Sequence, residues 1–338
     1  MSADSHPDGV VLVAGAGGFI GGHLVAELRR RGHRHIRGVD CKPLSDWHQL
    51  SADVDNRRLD LSDRQSCVMA VTGVTAVYNL AADMGGMGFI ETHKAKCMLS
   101  VLINTHMLMA ARDLGAKRFL FSSSACVYAA DKQTSSDATP LRESDAYPAQ
   151  PEDGYGWEKL FSERMCRHFR EDYGLETRVA RYHNVYGPHG TYDGGREKAP
   201  AAICRKVIAA KLSGSSDIEI WGDGEQTRSF MYIDDCLKGT QLLMESDVRE
   251  PLNIGNDQLV TINRLLDIVE GIAGTRLRRQ YVLDAPKGVR GRNSDNSLIH
   301  QRLGWAPGIS LERGLERTYR WIYDQMVSGR RREIAAAE

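Results

Sequence analysis

The sequence predicts an α/β fold in which a doubly wound parallel sheet is joined to a smaller mixed α/β domain. Three observations support this prediction. Short apolar segments alternate with helical patterns from residue 10 onward. Glycines at positions 15, 18 and 21 separate the first apolar segment from the first helical pattern. Further along, an apolar strand ends in a run of serines, and a tyrosine and a lysine four residues apart follow it.

The composition excludes several classes of protein. The chain has 338 residues, enough for one large or two medium domains. Lysine plus arginine equals aspartate plus glutamate at 44 each, so we expect no nucleic acid and no membrane as partner. Seven dispersed cysteines without CxxC spacing predict reduced thiols, a cytoplasmic location and no metal site. The polar residues 1–9 do not resemble a signal peptide.

The first strand, predicted at residues 10–14, leads directly into the glycine-rich turn. Glycines let the backbone approach a pyrophosphate, and the N-terminus of the following helix supplies free N–H groups. The second predicted strand ends in Asp40, an acid that suits the ribose hydroxyls of NAD and repels the 2′-phosphate of NADP. This Rossmann-type arrangement predicts NAD as the cofactor. The predicted cofactor-binding residues are Gly15, Gly18, Phe19, Ile20, Gly21, Asp40, Asp60, Leu61, Leu80, Ala81, Ala82, Tyr155 and Lys159.

The fifth predicted strand, residues 118–121, leads into three serines and then Cys126. Ligands bind beyond the carboxyl ends of parallel strands, so we expect these polar side chains in a site. A loop of glycine and methionine at residues 83–88 follows the neighbouring strand, and a helix is predicted over 94–114. The spacing of Tyr155 and Lys159 places both on one helical face, where the ammonium favours a phenolate able to act as general acid and base.

The second half of the chain contributes strands at 178–182 and 252–255 and a helix over 201–211. We predict a proline-interrupted surface loop at 141–153. The natural candidates to hold a diphosphate are cationic side chains, because guanidinium and ammonium groups match phosphate oxygens. They are Lys198, Lys206, Arg228, Arg290 and Arg292. The predicted NAD-binding domain comprises 1–181 and 229–258, the substrate domain 182–228 and 259–330, and a frayed tail 331–338.

The glycine triplet, Ser124 and Tyr155-x-x-x-Lys159, in this order, resemble the extended short-chain dehydrogenase/reductases that act on nucleotide sugars. Within that group the chain resembles the GDP-mannose 3,5-epimerase family over about residues 10–325. It departs from the family pattern at 129–130, His189 and Tyr192. The blocks that carry the resemblance are 81–90, 123–126, 194–201, 221–224, 226–230 and 288–296.

The resemblance implies inversion of C3 and C5 of the hexose of GDP-mannose through transient NAD-dependent oxidation at C4. The implied products are GDP-L-galactose and, by inversion of C5 alone, GDP-L-gulose. Tyr155, Lys159 and Ser124 would serve the C4 oxidation, while Cys126 removes a proton from carbon and Lys198 returns one to the opposite face. The implied substrate-binding residues are Gly85, Gly86, Met87, Ser124, Ala125, Cys126, Asn184, Glu197, Lys198, Ala202, Lys206, Trp221, Gln226, Arg228, Arg290, Arg292 and Ser294.

Other members of the same group share the first step, so two further activities stay open. A 4-epimerase needs no Cys/Lys pair, and a 4,6-dehydratase usually has an acid pair where this chain has Ala125 and Cys126. A non-catalytic NAD-binding scaffold is the remote alternative, and the intact pair of Tyr155 and Lys159 counts against it. Family habit and the apolar helices near 98–109 and 155–169 suggest a homodimer.

Overall fold

Short β-branched and apolar segments form the central strands of the protein. The computed structural model describes residues 9–286 and 288–337, and the side chains of the last helix as far as residue 329. Residues 1–8 of the predicted NAD-binding domain and residue 338 of the predicted tail lie outside this range. The strands are β1 (Val10–Ala14), β2 (Ile36–Asp40), β3 (Asp55–Arg58), β4 (Val74–Asn79), β5 (Arg118–Ser124), β6 (Glu176–Tyr182), β7 (Val185–Tyr186), β8 (Asp217–Trp221), β9 (Thr227–Ser229), β10 (Met231–Tyr232), β11 (Leu252–Ile254), β12 (Leu259–Thr261), β13 (Arg278–Val282) and β14 (Gly291–Arg292).

Helices connect these strands and cover the main sheet on both faces. They are α1 (Phe19–Arg30), α2 (Arg64–Val71), α3 (Met87–Thr92), α4 (Lys94–Met98), α5 (Ser100–Asp113), α6 (Tyr155–Tyr173), α7 (Ala199–Ser213), α8 (Ile233–Glu245), α9 (Ile262–Ala273), α10 (Ser297–Leu303) and α11 (Leu311–Ala337).

The main sheet has seven parallel strands in the order β11-β6-β5-β4-β1-β2-β3. Chain order reverses beside β1, because β2 lies on one side of it and β4 on the other. Two hydrophobic clusters pack on the opposite faces of this sheet, so neighbouring residues such as Leu12 and Val13 are both fully buried. The doubly wound parallel sheet predicted from the sequence is confirmed.

Three small sheets complete the fold beyond the carboxyl ends of the main strands. They join β12, β9 and β14, then β13 and β8, then β10 and β7. Helices α7, α9 and α11 pack against one another in this second part of the molecule. Among the described residues no helix is both long and apolar enough to cross a membrane, and no group of three His, Cys, Asp or Glu side chains is arranged for a metal ion.

Three local predictions differ from the structure. The single helix expected over 94–114 is divided at Leu99, which separates α4 from α5, and α5 ends at Asp113. The 141–153 segment is not wholly a surface loop, since Ala146 is fully buried and Leu141 pairs with Ser294. The backbone of α11 continues to Ala337 through the predicted frayed tail, where arginine, glutamate and alanine favour helix.

A buried ion pair lies beneath the carboxyl end of β5. Arg181 of β6 donates to both carboxylate oxygens of Glu163 in α6, at 2.9 and 2.7 Å. The hydroxyl of Ser123 in β5 donates to the same carboxylate at 2.5 Å. Both charged side chains are at most 3% exposed. The pair therefore ties two strands and α6 together below the site.

Glu163→Ala should lower the free energy of unfolding by about 3–5 kcal/mol, because it leaves the Arg181 charge buried without its partner. Urea denaturation measures this change. The control is Glu171→Ala, which removes an exposed ion pair with Arg167 on the same helix and should have a much smaller effect. Equal effects of the two substitutions would contradict the structural role of the buried pair.

Candidate active site

The turn between β1 and α1 is shaped to receive a pyrophosphate. Gly15 has a φ of +84°, a conformation that glycine adopts readily. A Cβ on Gly21 would lie 2.1 Å from the carbonyl oxygen of Gly15, so only glycine allows this approach. Helix α1 begins after Gly18 without a side-chain cap, which leaves N–H groups at its N-terminus for an anion. This cradle fits the diphosphate of a dinucleotide such as NAD.

The remaining residues predicted for the cofactor follow the neighbouring strands at the same edge of the sheet. Asp40 ends β2, and its carboxylate accepts the backbone N–H of Lys42 at 3.0 Å. Leu80 continues from β4, and its N–H donates to the Ala14 carbonyl of β1. Asp60 follows β3 and accepts from the backbone and hydroxyl of Ser62. Phe19 and Ile20 begin α1, Leu61 is buried below Asp60, and Ala81 and Ala82 follow Leu80.

The end of β5 brings the predicted oxidation residues together. The hydroxyl oxygen of Ser124 accepts the N–H of Cys126 at 3.2 Å, where a short 3-10 helix begins. Tyr155 starts α6 and lies within hydrogen-bonding reach of Ser124. The ammonium of Lys159, one turn later, lies 5.5 Å from the centre of the Tyr155 ring and is 1% exposed. Gly156 packs against the carbonyl of Cys126, where a Cβ would come within 2.3 Å.

Burial changes the protonation expected for Tyr155. The sequence predicts a phenolate favoured by Lys159, but burial, together with Cys126 and Glu158, raises the pKa of the Tyr155 phenol well above its usual value. The hydrogen bond with Ser124 acts in the opposite direction but is outweighed. In this geometry Tyr155 is therefore a neutral phenol, ready to donate a hydrogen bond.

A cavity of about 380 Å³ opens beside these residues. It is bounded by the loop after β4, the end of β5, the start of α7 and strands β8 and β9. Most residues predicted to bind substrate line it: Gly85, Gly86, Met87, Ser124, Ala125, Cys126, Asn184, Glu197, Lys198, Ala202, Lys206, Trp221, Gln226, Arg228 and Arg292. Tyr155 lines it too, whereas Lys159 lies behind.

Two predicted substrate residues lie outside this lining. Arg290 pairs with Asp223 at 2.8 Å, and Ser294 is fully buried, with its hydroxyl donating to Asn296 at 2.8 Å. The departures from the family pattern, residues 129–130, His189 and Tyr192, also lie outside the lining. The cavity wall therefore retains the residues on which the resemblance depends.

The loop after β4 and the loop before α7 meet directly over the cavity. Arg196 pairs with Asp83 at 2.6 Å, and its guanidinium lies 3.8 Å from the centre of the Phe89 ring. The N–H of Gly86 donates to the Arg196 carbonyl at 3.0 Å. A Cβ on Gly86 would lie 2.3 Å from the Glu197 carbonyl oxygen. These contacts fix the segment that ends in Lys198.

Burial moves Cys126 and Lys198 toward their neutral forms. It raises the pKa of the Cys126 thiol to about 11, with Glu152 adding to the increase and Arg292 opposing it. It lowers the pKa of the Lys198 ammonium, against the attraction of Cys126. Transfer of one proton from the Cys126 thiol to the Lys198 amine gives a thiolate and an ammonium without changing the number of protons in the site. The two groups can therefore exchange roles as acid and base.

Several cavity residues were not predicted from the sequence. Tyr182, Ile203 and Phe230 are apolar wall residues whose strand and helix positions looked like ordinary core. Arg205 and Glu219 line the cavity beside predicted residues. Glu152 and Gln133, which contact Arg292 behind the wall, lie far from it in sequence. No local motif marks these residues, because only packing brings them to the site.

Comparison with known proteins agrees with this geometry. A model of the NAD dependent epimerase/dehydratase family matches residues 11–255. GDP-mannose 3,5-epimerase of Arabidopsis thaliana is 45% identical, over 94% of this chain and 82% of its own length. GDP-mannose 3,5-epimerase 1 of Oryza sativa subsp. japonica is 46% identical over the same shares of the two chains.

Solved structures show the same fold. UDP-glucose 4-epimerase from Thermotoga maritima, solved with UDP-glucose, superimposes with a TM-score of 0.84 at 26% identity, covering 94% of this chain and 99% of that one. UDP-glucuronic acid 4-epimerase from Bacillus cereus, in complex with UDP-glucuronic acid and NAD, gives 0.80 at 25% identity over the same shares.

Gly21→Ala should weaken NAD binding by about tenfold or more, since relieving its contact with Gly15 must displace the turn and cost ~1.4 kcal/mol or more. Titration calorimetry with NAD measures the affinity. Gly22→Ala is the matched control on the same helix, because its Cβ would meet the Gln49 side chain at 3.0 and 3.1 Å and the backbone carbonyl oxygen of Ala16 at 3.4 Å, so no contact as short as that of Gly21 arises. Unchanged NAD affinity in Gly21→Ala would contradict the cradle.

Proposed function

The chain belongs to the NAD dependent epimerase/dehydratase family, and from this premise we propose that it is a GDP-mannose 3,5-epimerase. One observation carries the proposal: Cys126 and Lys198 line the same cavity as the oxidation residues Ser124 and Tyr155. Identities of 45% and 46% with named GDP-mannose 3,5-epimerases support the same substrate. GDP-L-galactose is the expected product, with GDP-L-gulose formed where only C5 is inverted.

Bound NAD supplies a reversible hydride acceptor for C4 of the hexose. Tyr155 first gives up its own phenolic proton, and its phenolate oxygen then takes the proton of the C4 hydroxyl and returns it at the end, with Ser124 beside it. Lys159 contributes positive charge near the phenol. Gly15, Gly18 and Gly21, with the other residues at the ends of β1 to β4, hold the cofactor.

The 4-keto sugar has acidic hydrogens at C3 and C5, and inversion requires a base on one face and an acid on the other. After the thiol proton of Cys126 has passed to the Lys198 amine, the thiolate removes the proton from carbon and the Lys198 ammonium delivers a proton to the opposite face. The contacts of Arg196 with Asp83 and Phe89 support this assignment, because they hold the loop that ends in Lys198. Neutral resting forms of both groups suit a site that must donate and accept protons in turn.

Unsatisfied polar atoms in the cavity wall provide groups for the rest of the substrate. Among the described residues, Glu197 Oε2 and Gln226 Oε1 are buried without a hydrogen-bond partner. Arg228 and Lys206 add positive charge at the same wall, which suits a diphosphate. We propose that the described part of residues 1–181 forms the NAD-binding domain with 229–258, and that residues 182–228 and 259–330 form the nucleotide-sugar-binding domain. Residues 84–88 and 124–126 of the first domain also line the substrate cavity.

Incubation with GDP-mannose in D₂O should introduce deuterium at C3 and C5, because both hydrogens exchange through the 4-ketone. NMR spectroscopy resolved by carbon measures the incorporation. Deuterium at neither position would refute the proposal. A product inverted only at C4 without exchange at C3 or C5 would instead indicate a 4-epimerase.

Two cysteine variants test the assigned base in the same experiment. Cys126→Ala should abolish exchange while NAD stays bound, because the residue lies outside the cofactor cradle. Cys97→Ala is the matched control, since Cys97 is buried in the same hydrophobic cluster but does not line the cavity. Near wild-type exchange in Cys126→Ala would show that another residue is the base.

An exposed apolar surface supports the proposed homodimer. Five apolar side chains of α4, α5, α6 and the residue joining α4 to α5 are 40–60% exposed, and these three helices contact one another. We call them the α4–α6 patch: Met98, Leu99, Leu102, Trp157 and Phe161.

Sedimentation equilibrium should give a dimer for the wild type and a monomer for Leu99→Glu combined with Phe161→Glu, because buried carboxylates without partners are unfavourable in an interface. Leu50→Glu, which alters an exposed leucine outside the patch, is the control and should remain dimeric. A monomeric wild type would rule out the homodimer.

A further inference from the structure

The guanidinium of Arg292 touches three side chains through three different nitrogens. Its Nε donates to Gln133 Oε1 at 2.5 Å, its Nη2 pairs with Glu152, and its Nη1 lies 3.6 Å from the sulfur of Cys126. The side chain of Arg292 is only 5% exposed. Gln133 and Glu152 therefore fix the plane of the guanidinium, and the remaining edge faces the thiol.

Glu152 is attached to the same thiol-bearing segment through the backbone. Its N–H donates to the Cys126 carbonyl at 3.0 Å. Its carboxylate is 11% exposed, and Oε2 has no hydrogen-bond partner among the described residues. Removing a carboxylate from water in this way destabilises the folded protein unless a group of opposite charge lies beside it. The neighbouring charge here is Arg292, which also faces the sulfur.

We propose that Glu152 is a positioning residue for the epimerisation, holding Arg292 against Cys126 and dividing the guanidinium charge between its own carboxylate and the sulfur. This inference rests on the proposed role of Cys126 as the base. Glu152 does not itself line the cavity, so it acts through Arg292 and through its carboxylate, which hydrogen-bonds with the Cys126 thiol. Because Glu152 offsets part of the Arg292 charge, Cys126 stays a neutral thiol until substrate is present. A thiol that ionises less readily is a stronger base once it has ionised.

The charges around the sulfur agree with this division. Glu152 raises the pKa of the Cys126 thiol while Arg292 lowers it, and both act in addition to burial. Three further titratable groups face Cys126 from other elements: Lys198 before α7, Arg228 in β9 and Tyr155 in α6. Arg228 is a cation that favours the thiolate, as Arg292 does, and Glu152 is a carboxylate that offsets this positive charge.

Removing this negative charge should make the thiol ionise more readily. Glu152→Gln keeps the shape of the side chain and an oxygen that accepts from Arg292, but it removes the negative charge. The positive charge of Arg292 then acts on the sulfur without being offset by residue 152. Loss of one nearby charge commonly shifts a pKa by about one unit or more. The thiolate fraction at neutral pH then rises about tenfold, while the lower basicity reduces its nucleophilicity about threefold. The net alkylation rate of Cys126 should therefore rise about threefold.

The experiment measures the rate of iodoacetamide alkylation of Cys126 from pH 7 to 9.5 in the NAD-loaded enzyme. Peptide mass spectrometry isolates the Cys126 peptide from the six other cysteines. Glu152→Gln should displace the rate profile toward lower pH. Gln133→Glu, which adds a second carboxylate to the guanidinium, should displace it toward higher pH. Opposite displacements exclude a merely structural role for Glu152.

Glu143→Gln is the matched control, because this carboxylate lies in the same 141–153 segment but accepts the N–H of Asn253 instead. Its profile should coincide with that of the wild type. If Glu152→Gln folds and its alkylation rate profile is unchanged, the proposal is overturned. If Glu152→Gln does not fold, the test passes to Gln133→Glu. A profile for Gln133→Glu that does not move, or that moves toward lower pH, would then overturn the proposal. Alkylation needs no sugar substrate, so its result does not depend on the epimerase activity that the D₂O experiment tests. Failure of the Glu152 proposal can therefore be distinguished from failure of the proposed function.

Discussion

The buried ion pair between Arg181 and Glu163 holds the catalytic end of the sheet in place. Charges removed from water require a partner of opposite sign, so β6 and α6 cannot shift relative to each other without breaking the pair. Ser123 adds β5 to this contact. Glu163 lies two helical turns after Tyr155, and Ser124 directly follows Ser123. The relative position of Ser124 and Tyr155 therefore depends on an interaction that takes no part in the reaction.

A second constraint is the close contact between two glycine-containing loops. Gly86 approaches the Glu197 carbonyl so closely that any side chain would collide with it. Arg196 then closes the contact by pairing with Asp83 and stacking on Phe89. This explains why the methionine-glycine block and the Gly-Gly-Arg-Glu-Lys block occur together in one sequence. Neither loop alone would hold Lys198 beside the cavity that contains Cys126.

Burial determines the resting protonation of the site. Withdrawal from water raises the pKa of the Tyr155 phenol and the Cys126 thiol and lowers the pKa of the Lys198 ammonium. All three groups therefore start neutral, so the phenol and the thiol can each lose one proton and the amine can gain one. The charges that do remain near the sulfur belong to Arg292 and to groups that face it. Catalysis by this site is consequently sensitive to those outer charges.

The sequence by itself determined the features that depend on short spacings. Helix geometry puts Tyr155 and Lys159 on one face, and the turn after β1 requires its glycines, so the fold class and the cofactor cradle could be predicted. Tertiary structure alone decided the break at Leu99, the partial burial of the 141–153 segment and the contacts of Glu152 and Gln133 with Arg292. These contacts join residues about 140 to 160 positions apart, and no local pattern encodes them. The thiol pKa follows the same rule, because desolvation is a property of the packed cavity and not of neighbouring residues in the chain.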